Sequence, residues 1–238
     1  MNINRRIEYA IKFLLDECMP PILRDHPLLM KLALKLVFRN KAASFLSFKQ
    51  RVAAMTQKEL RSVYADISSV TIQHSGTDLS SKIMDLIGTH VTGSTVLEAG
   101  CGQGILADRL SKIADVMACD LFIDDNTPIR FPAVTFRTAN IINLPFSDRS
   151  FDTVICSHTL EHIPNLNKAL RELRRVTAKR LIIVLPKERP YLFTFNLHIH
   201  FFPYRHSVEM LVAQSGLNAN IKIEEIDGDW FLLEDRRP

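Results

Sequence analysis

The apolar positions change rhythm about residue 90. Before it they recur every three or four residues. Ile3, Ile7, Ile11, Leu14, Leu15 and Cys18 form one such series, which predicts a helix over 3–18 ended by Pro20-Pro21. Residues 28–38 form a second, more apolar helix with Lys31 and Lys35 on one side. Segments 44–54 and 56–67 predict two more, and Thr56-Gln-Lys-Glu59 fits a capping box. Thr77 or Asp78 is placed to cap another helix running to about Ile87. From Thr95 onward, short apolar runs take over at 95–98, 116–120, 134–138, 153–157 and 180–185. Helical spacing fills the gaps at 103–112, 166–178 and 206–215, with Gly216 as a C-terminal cap. Residues 221–226 and 230–233 predict an antiparallel hairpin.

Alternating strands and helices with fully apolar strands mean a mostly parallel sheet covered on both faces. The expected fold class is α/β, a Rossmann-like, doubly wound, seven-stranded sheet with an antiparallel C-terminal hairpin. A helical extension or lid over 1–76 precedes a domain over 77–238. In such sheets ligands bind at the carboxyl ends of the strands.

The stretch Val96-Leu-Glu-Ala-Gly-Cys-Gly-Gln-Gly104 stands at such an end and holds three of the chain's eight glycines. A strand, a glycine turn and a helix start make a cradle of free N–H groups. Glu98 repels a phosphate there but suits a ligand carrying an ammonium group.

Four further pieces follow in order. Asp115-Val-Met-Ala-Cys-Asp120 is a strand ending in an acid, and Asn140-Ile-Ile-Asn-Leu-Pro-Phe146 follows the third strand. Phe151 to Ser157 is the fourth strand, and Leu160-Glu-His-Ile-Pro164 comes after it. Together these motifs resemble the class I S-adenosylmethionine-dependent methyltransferases, specifically the type 11 group, over about residues 80–220. The resemblance implies S-adenosyl-L-methionine as cofactor. It implies that Glu98, Ala99, Gly100, Cys101, Gly102 and Gly104 hold the methionine portion and that Asp120 accepts the ribose hydroxyls. Leu121 would pack on the adenine, Asn140 and Ile141 would meet its edge, and Ser157 would lie beside the sulfonium. Many relatives carry Asp where this chain has Asn140.

The reaction aligns an acceptor and, for an alcohol, removes a proton. Candidate catalytic residues are His158, His162 and His198. The last lies in an aromatic and histidine-rich stretch, 191–206, after the fifth strand. Two uses of His158-x-x-Glu161-His162 stay open. In one, His158 is a general base. In the other, His158, Glu161 and His162 share a helical face and bind a divalent ion with His198 or His200, the less favoured use.

Composition adds limits. The four cysteines form no C-x-x-C pair, no secretion signal opens the chain and no run is long enough to span a bilayer, so a cytoplasmic protein is expected. Net charge is +4, but residues 1–60 hold eleven Lys/Arg against five Asp/Glu. That basic, apolar segment could rest on an anionic membrane surface or pack as a substrate lid, the preferred placement. The arginines of 171–180 lack interleaved aromatics, so no nucleic acid is expected. The expected acceptor is a hydroxyl, or another nucleophile, of a small molecule, lipid or glycan precursor. Alternatives are a non-catalytic cofactor-binding partner of another enzyme, or an NAD-dependent oxidoreductase.

Overall fold

A computed structural model describes residues 18–38, 42–68, 77–190, 192, 197–215 and 221–236. The predicted helix over 3–18 and the cap at Gly216 lie outside these residues. The chain forms two compact units, one of residues 1–75 with 188–201 and one of 76–187 with 202–238.

In the first unit the described helices are α1 (Pro21–Arg24), α2 (Pro27–Phe38), α3 (Ala42–Arg51) and α4 (Gln57–Ser68). Leu34 of α2 packs with Ala42, Phe48, Val52 and Leu197 in a small core. The capping box at α4 forms as predicted. Glu59 Oε2 accepts the Thr56 N–H at 2.8 Å, and Thr56 Oγ1 accepts the Glu59 N–H at 3.3 Å.

The second unit opens with α5 (Ser81–His90), capped by Ser80 rather than Thr77 or Asp78, since the Ser80 side chain accepts the Ile83 N–H. The strands are β1 (Thr95–Ala99), β2 (Asp115–Asp120), β3 (Thr135–Thr138), β4 (Phe151–Ser157), β5 (Thr177–Pro186), β6 (Lys222–Ile226) and β7 (Asp229–Asp235). Helices α6 (Ile105–Leu110), α7 (Asn126–Arg130), α8 (Leu166–Val176) and α9 (Arg205–Ser215) connect them. Sheet order is β3-β2-β1-β4-β5-β7-β6, parallel except for β7, which runs antiparallel to both neighbours.

Period-two packing divides the core in two. Leu97, Ala99, Leu181 and Ile183 meet α8 and α9 residues such as Leu173 and Val208 on one face. Val96, Ile182 and Val184 meet α5 and α6 residues such as Ile83 and Leu110 on the other. Both faces of each central strand are therefore spent on helices, which is why those strands are continuously apolar. Two of the three arginines of α8 are paired within the unit. Arg174 pairs with Glu234, and Arg175 with Glu172 and Asp148.

Candidate functional site

The sheet order reverses between β1 and β4, and parallel neighbours leave a crevice at their carboxyl ends there. The loop after β1, Asp120 at the end of β2, and Ser157-His158 at the end of β4 all stand at such ends.

Gly100 and Gly102 have φ of 83° and 51°, in the left-handed region that side chains avoid. Gly100 and Cys101 both donate their N–H to the Cys119 carbonyl, tying the turn to β2. A Cβ at Gly100 would fall 2.1 Å from Thr159 Oγ1, whereas one at Gly102 would meet no atom within 4 Å. One glycine is thus required by protein packing, and the other borders open space where a ligand can approach the backbone. The helix that follows, α6, has six residues, fewer than the 103–112 expected.

Glu98 is buried at the end of β1. It accepts the Ala107 N–H, one of the helix-start donors that α6 cannot satisfy itself. Among the described residues Glu98 Oε2 has no hydrogen-bond partner. Burial pushes the carboxyl up to about 8, opposed by the Ala107 N–H and reinforced by the charge of Asp120. An ammonium group is the partner such an oxygen lacks.

Asp120 is held from both oxygens. Oδ2 accepts the Gly102 N–H at 2.8 Å and Oδ1 the Phe122 N–H at 3.3 Å. Burial raises its pKa while the backbone donors pull it down. Each oxygen keeps a second lone pair for a ligand hydroxyl. Leu121 is half-buried beside it. Asn140 closes a turn, its Oδ1 accepting the Ile142 N–H at 3.1 Å. The Ile141 side chain packs in the core, which leaves only its backbone for a ligand.

At the end of β4, Ser157 is buried and its carbonyl accepts the Thr159 hydroxyl. His158 follows with φ 46°, a left-handed non-glycine residue. Its N–H donates to the Val184 carbonyl. Its Nε2 lies 3.1 Å from Asp229 Oδ2, and its Nδ1 lies 3.9 Å from Glu161 Oε1. The Asp229 contact is an ion pair with the ring N–H aimed off its line. Burial alone would favour the neutral ring, but Asp229, Glu161 and Asp78 outweigh it and hold the imidazole up to about 9. The surrounding carboxylates thus favour the protonated ring.

Residues 160–162 form a single 3-10 turn, and His158 lies outside it. The expected shared helical face is thus absent, although the turn still brings Glu161 between the two histidines, with His162 Nε2 at 3.9 Å. His198 belongs to the other compact unit, where its Nδ1 pairs with Glu188. In that unit Lys49 lies 4.5 Å above the Phe201 ring. Burial lowers its pKa to about 8 against the opposing charges of Glu188 and Asp25.

Asp229 was not foreseen from the sequence. Asp227-Gly228 has φ of 51° and 84°, the type I′ turn that an Asp-Gly pair signals, and this fixes Asp229 opposite Ile226. Its meeting with His158 depends on the long-range pairing of β5 with β7.

Residues 97–185 match the family described as Methyltransferase domain. This match supports a class I S-adenosylmethionine-dependent methyltransferase domain over that span. The chain is 28% identical over 123 residues to 27-O-demethylrifamycin SV methyltransferase of Amycolatopsis mediterranei, covering 48% of this chain and 45% of that protein. It is 25% identical over 174 residues to demethylmenaquinone methyltransferase of Bacillus licheniformis, covering 69% and 74%. Several other curated relatives are matched over about a third to under half of their length. The fold is that of Burkholderia thailandensis 1,6-didemethyltoxoflavin-N1-methyltransferase, solved with S-adenosylhomocysteine, at a TM-score of 0.59 and 15% identity over 75% of this chain and 88% of that one.

Exchanging Asp229 for Asn should drop the His158 midpoint from about 9 toward the ordinary range, because the opposing charge is lost. Proton NMR titration of the ring reads this directly. The sign for stability follows. A raised imidazole pKa stabilises the fold below its unfolded value of ~6.5. That stabilisation is lost as pH rises through about 9. Wild type should lose melting temperature across this window, and Asp229→Asn should flatten the contribution. An unmoved midpoint would refute the pairing.

Proposed function

We propose that this chain transfers the methyl group of S-adenosylmethionine to a nucleophile, a hydroxyl, of a small molecule, lipid or glycan precursor. The observation that carries the cofactor assignment is the unpartnered, buried Glu98 oxygen beside a glycine turn with open space at Gly102. Glu98 and the turn would hold the amino-acid end of the cofactor. Asp120, oriented by the Gly102 and Phe122 N–H groups, would hold the ribose. Bound there, S-adenosylmethionine supplies a methyl group already activated on a sulfonium. Asp229, Glu161 and Asp78 outnumber the single imidazolium of His158, so the surroundings favour a cation. His158 in its charged form would donate a hydrogen bond to the acceptor rather than take its proton. The rifamycin relative, named for an acceptor lacking an O-methyl group, supports an oxygen nucleophile.

A second function is that of a non-catalytic cofactor-binding partner. It draws support from the raised pKa of His158, which makes that residue a poorer base. Cofactor binding without product from any acceptor pool would select it. No helix among the described residues is long and apolar enough to cross a membrane.

Thermal melting with S-adenosylhomocysteine, and with NAD in parallel, tests the proposal. Stabilisation by the first alone is expected, ~2.7 kcal/mol at a hundredfold excess over Kd. Stabilisation by NAD alone would overturn it. Affinity should also rise with pH up to about 8, because the ammonium needs the ionised Glu98. Isothermal calorimetry between pH 6 and 8 checks this, and a flat profile would remove Glu98 from the ammonium site.

A further inference from the structure

Helix α2 (Pro27–Phe38) has two apolar faces, of which one is buried among the described residues of the first unit. Met30 and Leu34 are buried, 7% and 0% exposed. Leu28, Leu29, Leu32 and Leu36 are 52–73% exposed. At ~100° per residue these four leucines fill one continuous arc of about 100° on the side away from Leu34. Ile22 and Leu23 of α1, exposed by 78% and 49%, add to the apolar surface of the same segment. Six of the eleven large hydrophobic residues exposed among the described residues thus lie within fifteen positions. Soluble chains rarely leave contiguous apolar surface of this kind unused.

Charge then distinguishes the possible occupants. Lys31 and Lys35 are exposed and border the leucine arc on one side, and α2 contains no Asp or Glu. Residues 1–60 carry six more basic than acidic side chains. A second copy of the chain would bring the same cations against themselves. An anionic lipid surface matches both features. Leucines enter the headgroup boundary, while lysine stems extend along it and leave their ammonium groups among the phosphates. The helix is about 18 Å long, so it lies in the interface rather than crosses it.

We infer that the Leu28–Leu32–Leu36 face of α2, with its Lys31–Lys35 border, is a docking surface for an anionic lipid bilayer. It rests on exposure and charge alone and does not depend on the methyl-transfer proposal.

Co-sedimentation of the full chain with phosphatidylcholine vesicles, with and without phosphatidylglycerol, tests the inference. About tenfold or greater preference for the anionic vesicles is expected, weakened by salt. The Leu28→Gln/Leu32→Gln/Leu36→Gln variant should lose it to background. Lys31→Glu/Lys35→Glu, which leaves the apolar arc intact, should lower binding about tenfold or more. Both variants should keep the wild-type circular dichroism spectrum. Absence of wild-type binding overturns the inference. So does equal binding to both vesicle types, or binding that survives the leucine exchanges. Concentration-dependent self-association in sedimentation velocity, abolished by the leucine exchanges and unaffected by lipid, would assign the face to a second copy and overturn it as well.

Discussion

Asp120→Ala is expected to abolish the stabilisation that S-adenosylhomocysteine gives the wild-type chain. The carboxylate is fixed by the Gly102 and Phe122 N–H groups, so its remaining lone pairs are aimed before any ligand arrives. Hydrogen bonds to a charged group are worth ~1.5–3 kcal/mol each, and a ribose diol offers two. Losing both should weaken binding about a hundredfold or more. The Gly102 N–H also loses its acceptor, so the unliganded protein should melt slightly earlier. Calorimetric titration separates the two effects. An affinity within threefold of wild type would mean that Asp120 orders the loop and does not touch the cofactor.

Gly100→Ala should have the largest effect on the fold itself. The new Cβ would sit 2.1, 2.5 and 2.8 Å from Thr159 Oγ1, Cγ2 and Cβ. Rotating the threonine side chain cannot clear all three, because its own Cβ is fixed by the backbone. Forcing a left-handed alanine adds ~1–2 kcal/mol, and overpacking adds ~1–3 kcal/mol. A loss of about 2–5 kcal/mol in urea unfolding is therefore expected. Gly102→Ala is the contrast. It carries the backbone strain at φ 51° but meets no atom within 4 Å. It should cost ~1–2 kcal/mol of stability while removing most cofactor binding. Equal stability losses in the two variants would contradict this division of labour.

The sheet was legible because its chemistry is local. Strands buried on both faces read as unbroken apolar runs, and the acid-plus-glycine pattern after β1 marks a turn that only glycine can make. The strand ends then placed Glu98, Asp120 and Ser157 without further information. What failed was local ambiguity or long range. The spacing of His158, Glu161 and His162 fits a helix and a 3-10 turn equally, and the left-handed backbone at His158 is invisible in its residue type. Helix α7 was missed because Pro128 lies inside it, although it sits in the first turn, where its missing N–H is not needed. Asp229 could be recognised as a strand start, but its partner lies seventy-one positions back and meets it only once β7 is paired with β5.

That pairing also sets an order of events during synthesis. The last strand enters between β5 and β6 rather than at the edge. When residue 186 has emerged from the ribosome, the residues of all five parallel strands and of every proposed cofactor contact have been made. The β5 edge stays open for about forty further residues, and His158 has no Asp229 to face. A nascent chain could therefore bind cofactor before its acceptor end acquires the final charge pattern. Translation that stalls between residues 186 and 229 would leave an unpaired apolar strand edge, which is prone to aggregation.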